Sequence, residues 1–379
     1  MRWPAGVLSA GVCCGIKSDG SLDLGLLVFD EPTEWIGSFT RNAAAAAPVT
    51  WSRGLTGHPV RALVVNSGNA NACTGSAGDA AARSTAQTAA RTLGCSAGEI
   101  LVASTGPIGI PLPAEKVISG IPKALEELGP EPEAFATAIL TTDSSTKVSA
   151  SKAGGARLVG VGKGAAMLAP NMATMLGFIV TDAAVSRTVL EGCLQNAVER
   201  TFNRISVDAC QSTNDSVMLF STASQRDVDP ERLAIGVEDV CGDLAEQMVR
   251  DAEGGSRLVR IVVEGATSEA RAAELGRSIA GSVLWRAAAH GGDPNWGRIV
   301  AAMGSADTSL DLARLTLRIG DEVLFDRGEP NGSLETAAKW MDSDEFTVTC
   351  GLGVGEESAV VLTSDLSEEY VSLNAEGTS

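Results

Sequence analysis

A chain of 379 residues, with 44% apolar and 20% charged residues, is long enough for two domains or one large layered one. Its formal charge of −18, with no basic block, argues against a nucleic-acid surface and serves solubility instead. No apolar run reaches the ~18–20 residues that a membrane helix needs, and the N-terminus leads into patterned sequence rather than a signal-peptide cleavage site, so the expected compartment is the cytoplasm.

Taken in chain order, Ala62–Gly68 (ALVVNSG) reads as a buried strand entering a loop. An Ala-rich helix follows and stops at Gly94. Glu99–Gly106 (EILVASTG) is a second strand running into a Gly turn, residues 114–128 are helical, and GPEPEA marks an exposed turn. The run from Thr174 to Val180 reads as a buried strand. Ser186 caps a helix with Val189, Leu190, Cys193, Leu194, Ala197 and Val198 on one stripe, and Asp229-Pro230 opens another. Residues 257–265, 314–320, 346–353 and 359–365 follow as strands. This is a mixed α/β pattern of paired sheet layers covered by helices.

Eight cysteines without a CxxC read as small core residues, and the two histidines, His58 and His290, as ordinary surface or polar-network groups. With so few histidines a Cys/His metal cluster is not expected; a Ser-His-Asp or Cys-His device would have to use one of these two, and the base of a nucleophile need not be a histidine at all. The glycine-rich Gly160–Met167 fits neither a phosphate loop nor a dinucleotide fingerprint: Arg157 stands where the first glycine belongs, and Ala165 closes the other frame. Lys163 remains, flanked by glycines that allow close backbone approach, or else an ordinary turn lysine. Val65–Gly75 and Ser104–Pro111 are polar Gly loops at strand ends, and the latter could turn backbone N–H groups toward an oxyanion. His290–Ile299 (HGGDPNWGRI) is denser in specialised residues than a connector requires.

Thr174 follows Pro-Asn-Met-Ala and opens the apolar run. If the Ala173–Thr174 bond were cut, the freed α-amine could serve as base for the hydroxyl, since a chain-terminal amine ordinarily titrates near ~7.7–8.0. The alternative is that Thr174 merely begins a core strand.

Eight segments, NSGNANACTG, ASTGPIG, LTTDSSTK, KGAAMLAPNMATML, FNRISVD with STND, DAEGGSRL, HGGDPNWGRI and DLSEEYVSLN, stand in one order along nearly the whole chain. Together they resemble the ornithine acetyltransferases, or glutamate N-acetyltransferases, of the arginine pathway. The resemblance implies self-cleavage into an α chain 1–173 and a β chain 174–379, with Thr174 as nucleophile. It implies oxyanion roles for Thr105 and Gly106, and substrate contacts for Thr141, Lys163, Glu253, Asn374 and Ser379. The implied fold is an αββα sandwich, layered like the N-terminal-nucleophile hydrolases, with a smaller second α/β domain. The implied reaction moves acetyl from N-acetylornithine to glutamate by ping-pong through an acetyl-threonine, with no metal or cofactor. Acetyl-coenzyme A is left open as a second donor of a bifunctional enzyme. The implied assembly is an α2β2 heterotetramer of the two self-cleaved chains, acting on small amino acids and on neither nucleic acid nor membrane. The chain departs from the family pattern at Ala209-Cys210-Gln211, at Pro107 and at Gly377. These departures keep open an alternative, a paralogous acyltransferase or amidohydrolase with the same nucleophile and another acyl donor or acceptor.

Overall fold

The computed structural model describes residues 1–167, 175–208 and 211–375. Four strands open the chain: β1 (Val7–Val12), β2 (Leu24–Phe39), β3 (Val60–Ser67) and β4 (Ile100–Thr105). Between and after them come α1 (Ala47–Arg53), α2 (Gly75–Leu93), α3 (Ala114–Glu126) and α4 (Glu133–Ala138). Then follow β5 (Lys147–Ala153), β6 (Ala156–Lys163), β7 (Leu176–Ala183), α5 (Arg187–Arg200), β8 (Ile205–Ser206), β9 (Ser216–Gln225) and α6 (Pro230–Arg250).

The long β2 organises the first unit. Its first half pairs with β1 and β3, and its second half with β9. The register slips between Val28 and Thr33, around Asp30-Glu31-Pro32, where proline cannot donate to a ladder. The eight-stranded sheet, in order β4-β3-β2-β9-β7-β6-β5 with β1 on β2, therefore folds into two facing layers. Leu27, Phe29, Leu63, Val65 and Leu101 of one layer meet Trp35, Val161, Phe178, Val180 and Phe220 of the other in a shared apolar interior. α4 adds Phe135 to that interior, and Ile139, which follows the helix, joins it. The outer face of the first layer is covered by the alanines of α2 with Val117 and Ile121 of α3. That of the second is covered by α5 and α6, through Leu190, Leu194, Val237, Val240 and Leu244. The order helix, sheet, sheet, helix is the expected αββα sandwich.

A second, seven-stranded sheet follows from β10 (Leu258–Ala266), β11 (Thr316–Ile319), β12 (Glu322–Asp326), β13 (Glu329–Pro330), β14 (Glu345–Gly351) and β15 (Glu357–Ser364). β8 completes its edge by pairing parallel to β15. The helices here are α7 (Glu269–Ala280), α8 (Val283–His290), α9 (Trp296–Ala306), α10 (Leu334–Met341) and α11 (Glu368–Ala375), and residues of the first four share a core with the sheet.

The caps behave as their residue types dictate. Ser186 accepts from the Val189 N–H, and Asp229 accepts from Glu231 and Arg232 ahead of Pro230. Gly94 closes α2 in the left-handed conformation. The cysteines depart from expectation: Cys193, Cys241 and Cys350 are core residues, while Cys13 and Cys73 are exposed and Cys14 and Cys95 half-exposed. The 173/174 position falls between β6 and β7, which are neighbours in one sheet, so one layer takes strands from both sides of it.

A candidate acyl-transfer site where two sheet layers meet

Hydrogen bonding in the sheets brings distant segments to one place. β3 and β4 run parallel, so the Asn/Gly loop after Ser67 and the turn after Thr105 leave at the same end. They are stitched together there: Asn69 N–H donates to the Thr105 carbonyl at 3.0 Å, and Ala70 N–H to the Pro107 carbonyl at 3.1 Å. Gly106 has φ +136°, and a β-carbon there would stand 2.4 Å from the Asn69 nitrogen. Only glycine fits this crossing.

Lys163 is no turn lysine. It is the last residue of β6 and is 2% exposed. Its Nζ donates to Thr141 Oγ1 at 2.7 Å and, more weakly, to Thr105 Oγ1 at 3.4 Å. Asp143 lies 3.4 Å from the same ammonium. Asp143 also accepts from the Gly164 N–H at 2.6 Å and from Lys147 at 2.8 Å. Lys147, fully buried, bridges on to Asp251 at 2.5 Å. Burial alone would raise the Asp143 pKa, but Lys163 and Lys147 outweigh it and hold the carboxyl well below the usual range.

Asp251 ends α6 and accepts from the Ser144 N–H at 3.0 Å, tying the turn after that helix to the 141–147 loop. The same turn carries Glu253, whose N–H donates to the Ala165 carbonyl at 2.9 Å. Asn374 of α11 donates to Glu253 Oε2 at 3.1 Å, while Oε1 is buried with no hydrogen-bond partner among the described residues. Gly254 allows α11 to approach, since a β-carbon there would lie 2.3 Å from the Tyr370 nitrogen.

Thr105, Gly106, Thr141, Thr142, Lys163, Ala166, Met167 and Glu253 line one small cavity. Five of the residues expected from sequence thus meet in it, and Asn374 joins them through Glu253. Thr174, Ala173 and Ser379 lie outside the described residues. The structure adds what sequence reading passed over, the Asp143–Lys147–Asp251 network and the Asn214–Asp215 turn. Asp143 and Lys147 stand four apart within LTTDSSTK, a spacing that could have flagged the pair. A larger, open concavity lined by Glu264, Arg314, Arg327 and Glu356 lies on the second sheet and holds none of these residues.

The family model described as ArgJ family matches residues 8–379. The chain belongs to the ArgJ family. The arginine biosynthesis bifunctional protein ArgJ of Thermus thermophilus is 42% identical over 377 residues, covering 99% of this chain and 98% of that one. The protein of the same name from Streptomyces avermitilis is 40% identical over 374 residues, covering 98% and 97%. Among solved structures, an ornithine acetyltransferase complexed with ornithine from Mycobacterium tuberculosis is 37% identical, with a TM-score of 0.40 over 44% of this chain and 92% of that one. No helix among the described residues of this ArgJ-family chain is long and apolar enough to cross a membrane.

Proposed function

We propose that this chain is an acetyltransferase of arginine biosynthesis, an ornithine acetyltransferase or glutamate N-acetyltransferase, that cleaves itself before Thr174 and works by ping-pong. The observation that carries the reading is the charge layout of the cavity: a buried ammonium, Lys163, and a carboxylate, Glu253, whose Oε1 has no partner among the described residues. A buried acceptor without a partner is costly until something donates to it. An amino acid supplies both complements, a carboxylate for Lys163 and an ammonium for Glu253.

In the first half-reaction the Thr174 hydroxyl, deprotonated by its own α-amine, attacks the acetyl carbonyl of N-acetylornithine. The oxyanion is stabilised by the Thr105 hydroxyl and the Gly106 N–H, and ornithine departs. Glutamate then enters the same cavity, and its amine takes the acetyl group from the threonine. The reaction written this way uses no cofactor, with acetyl-coenzyme A as an alternative donor. The cleaved halves, 1–173 and 174–379, are proposed to assemble as an α2β2 heterotetramer.

Intact mass under denaturing conditions, paired with acetyl exchange between N-acetylornithine and glutamate, tests both parts. Two fragments meeting at 173/174, absent in Thr174→Ala, with exchange in the wild type, are expected. A single full-length mass would sink the self-cleavage. A cleaved chain that exchanges no acetyl would redirect the substrate assignment to another acyl donor or acceptor.

A further inference from the structure

The stretch His290–Ile299, which the proposed chemistry leaves unused, begins at a second polar node. Asp365 follows β15 directly and is buried. Its Oδ1 accepts the Ser256 N–H at 2.7 Å and the Arg257 N–H at 2.9 Å. Its Oδ2 accepts the Ser256 hydroxyl at 2.7 Å and faces His290 Nδ1 at 2.7 Å. Burial alone would raise the Asp365 pKa, but the bonds from Ser256 and His290 outweigh it and hold the carboxyl below its ordinary range. An ionised carboxylate only accepts, so the proton of the last bond sits on His290 Nδ1. Arg257 returns to the same place, donating to the His290 carbonyl at 2.8 Å. Arg286, one turn earlier in α8, donates to the carbonyls of Ser364 at 2.7 Å and Asp365 at 3.0 Å.

The two segments gripped here carry the carboxylate side of the cavity. Ser256 and Arg257 end the turn that presents Glu253. Asp365 leads through Ser367, whose hydroxyl donates to the Gly254 carbonyl, into α11, which brings Asn374 to Glu253 Oε2 at 3.1 Å. Among the described residues, none of α11 is buried. A helix of eight residues without an apolar face in the core is not held by packing, so its foot must place it. His290 Nε2 lies 3.6 Å from Glu368 at that foot, a solvent-exposed pair that adds little.

We propose that His290 and Asp365 are positioning residues for the ammonium end of the site: by fixing the Glu253 turn and the foot of α11 together, they set the selectivity for an acyl donor whose side chain ends in a cation. This rests on the reading of Glu253 as the ammonium contact. Neither residue lines the cavity, so both act through Glu253 and Asn374. Without the His290 donor the turn is no longer tied through Asp365 to the end of α8, and Glu253 spends less time in its productive place.

The test compares kcat/KM for N-acetylornithine with kcat/KM for N-acetylnorvaline, the same molecule without its terminal amine. In His290→Ala the preference for N-acetylornithine is expected to fall about tenfold, chiefly through a higher KM. His290→Asn, which returns an N–H near the Nδ1 position, is expected to recover most of it. In a Glu253→Gln background, His290→Ala should change the preference by less than about twofold, because its effect passes through a carboxylate already removed. A preference in His290→Ala within about twofold of the wild type overturns the proposal, and so does a full effect of His290→Ala in the Glu253→Gln background. His290→Asn and His290→Gln keep the test open should His290→Ala fail to fold. The Asn amide reaches the Nδ1 position and the Gln amide the Nε2 position, so Asn is expected to keep the higher preference, and equal preferences overturn the proposal. A wild type without a preference for N-acetylornithine, or one whose preference survives Glu253→Gln, overturns the reading of Glu253 instead, and this role with it.

Discussion

Asp143→Asn probes the network behind the site more sharply than a change at the cavity wall. The asparagine keeps an acceptor for the Gly164 N–H but removes the negative charge between Lys147 and Lys163. Lys147 retains Asp251 at 2.5 Å and the Ser145 carbonyl at 3.1 Å, so it is not stranded. Lys163 retains the Thr141 and Thr105 hydroxyls and loses its carboxylate. Breaking a buried pair costs ~3–5 kcal/mol, and the surviving partners place this case at about 3. At about 2 °C per kcal/mol for a unit of some 250 residues, the melting temperature should fall by about 6 °C.

The acid limb gives a second readout of the same variant. The folded Asp143 pKa lies below its unfolded value, so its contribution is complete above the ordinary carboxylate pKa of ~3.9 and is lost as pH falls toward the folded value. The gap between wild type and variant should therefore be full at neutral pH and narrow below about pH 4. Scanning calorimetry on both proteins across pH measures it. A loss under about 1 °C at neutral pH, or a gap that widens in acid, would refute the reasoning.

Gly106→Ala must push against the Asn69 backbone from a φ that L-residues avoid, so strain of at least ~1–3 kcal/mol is expected and acetyl transfer should fall steeply. A variant with wild-type kcat would show that this turn is not part of the oxyanion site. Glu253→Gln should raise the KM for N-acetylornithine more than it lowers kcat, and an unchanged KM would remove the ammonium contact from the scheme. Phe135→Ala opens the interior between the two sheet layers, where Phe135 packs edge-on against Phe178 at 5.8 Å, and should cost ~3–5 kcal/mol in denaturant melts. Unlike Glu253→Gln, it should leave the KM of the folded enzyme unchanged.

Much of the architecture was legible in local pattern because local rules governed it. Capped helices at Ser186 and Asp229, the Gly94 stop, and the apolar strands Val60–Ser67 and Ile100–Thr105 follow from side-chain chemistry a few residues wide. The N-terminal strands were harder. β2, which the local pattern left unassigned, is one strand that bends from one layer into the other at Asp30-Glu31-Pro32. Its polar centre is tolerated because those residues stand in the exposed bend.

Pattern in the sequence singled out Lys163 among its glycines, the Gly turn at 104–111 and Thr174, while roles for Thr105, Thr141 and Glu253 came only as what the family resemblance implies. The sequence also limited any histidine base to His58 or His290. Only tertiary structure decided that Thr105, Thr141, Lys163 and Glu253 share a wall, because parallel pairing of β3 with β4 and the docking of α6 against β5 and β6 act over long separations. Only tertiary structure gave Lys163 its burial and Asp143 its two cations. It alone left Asp215 sealed beside Met175 with one oxygen unspent among the described residues. Desolvation is a property of the packed interior, so no spacing of letters could have shown a carboxyl whose pKa burial drives upward.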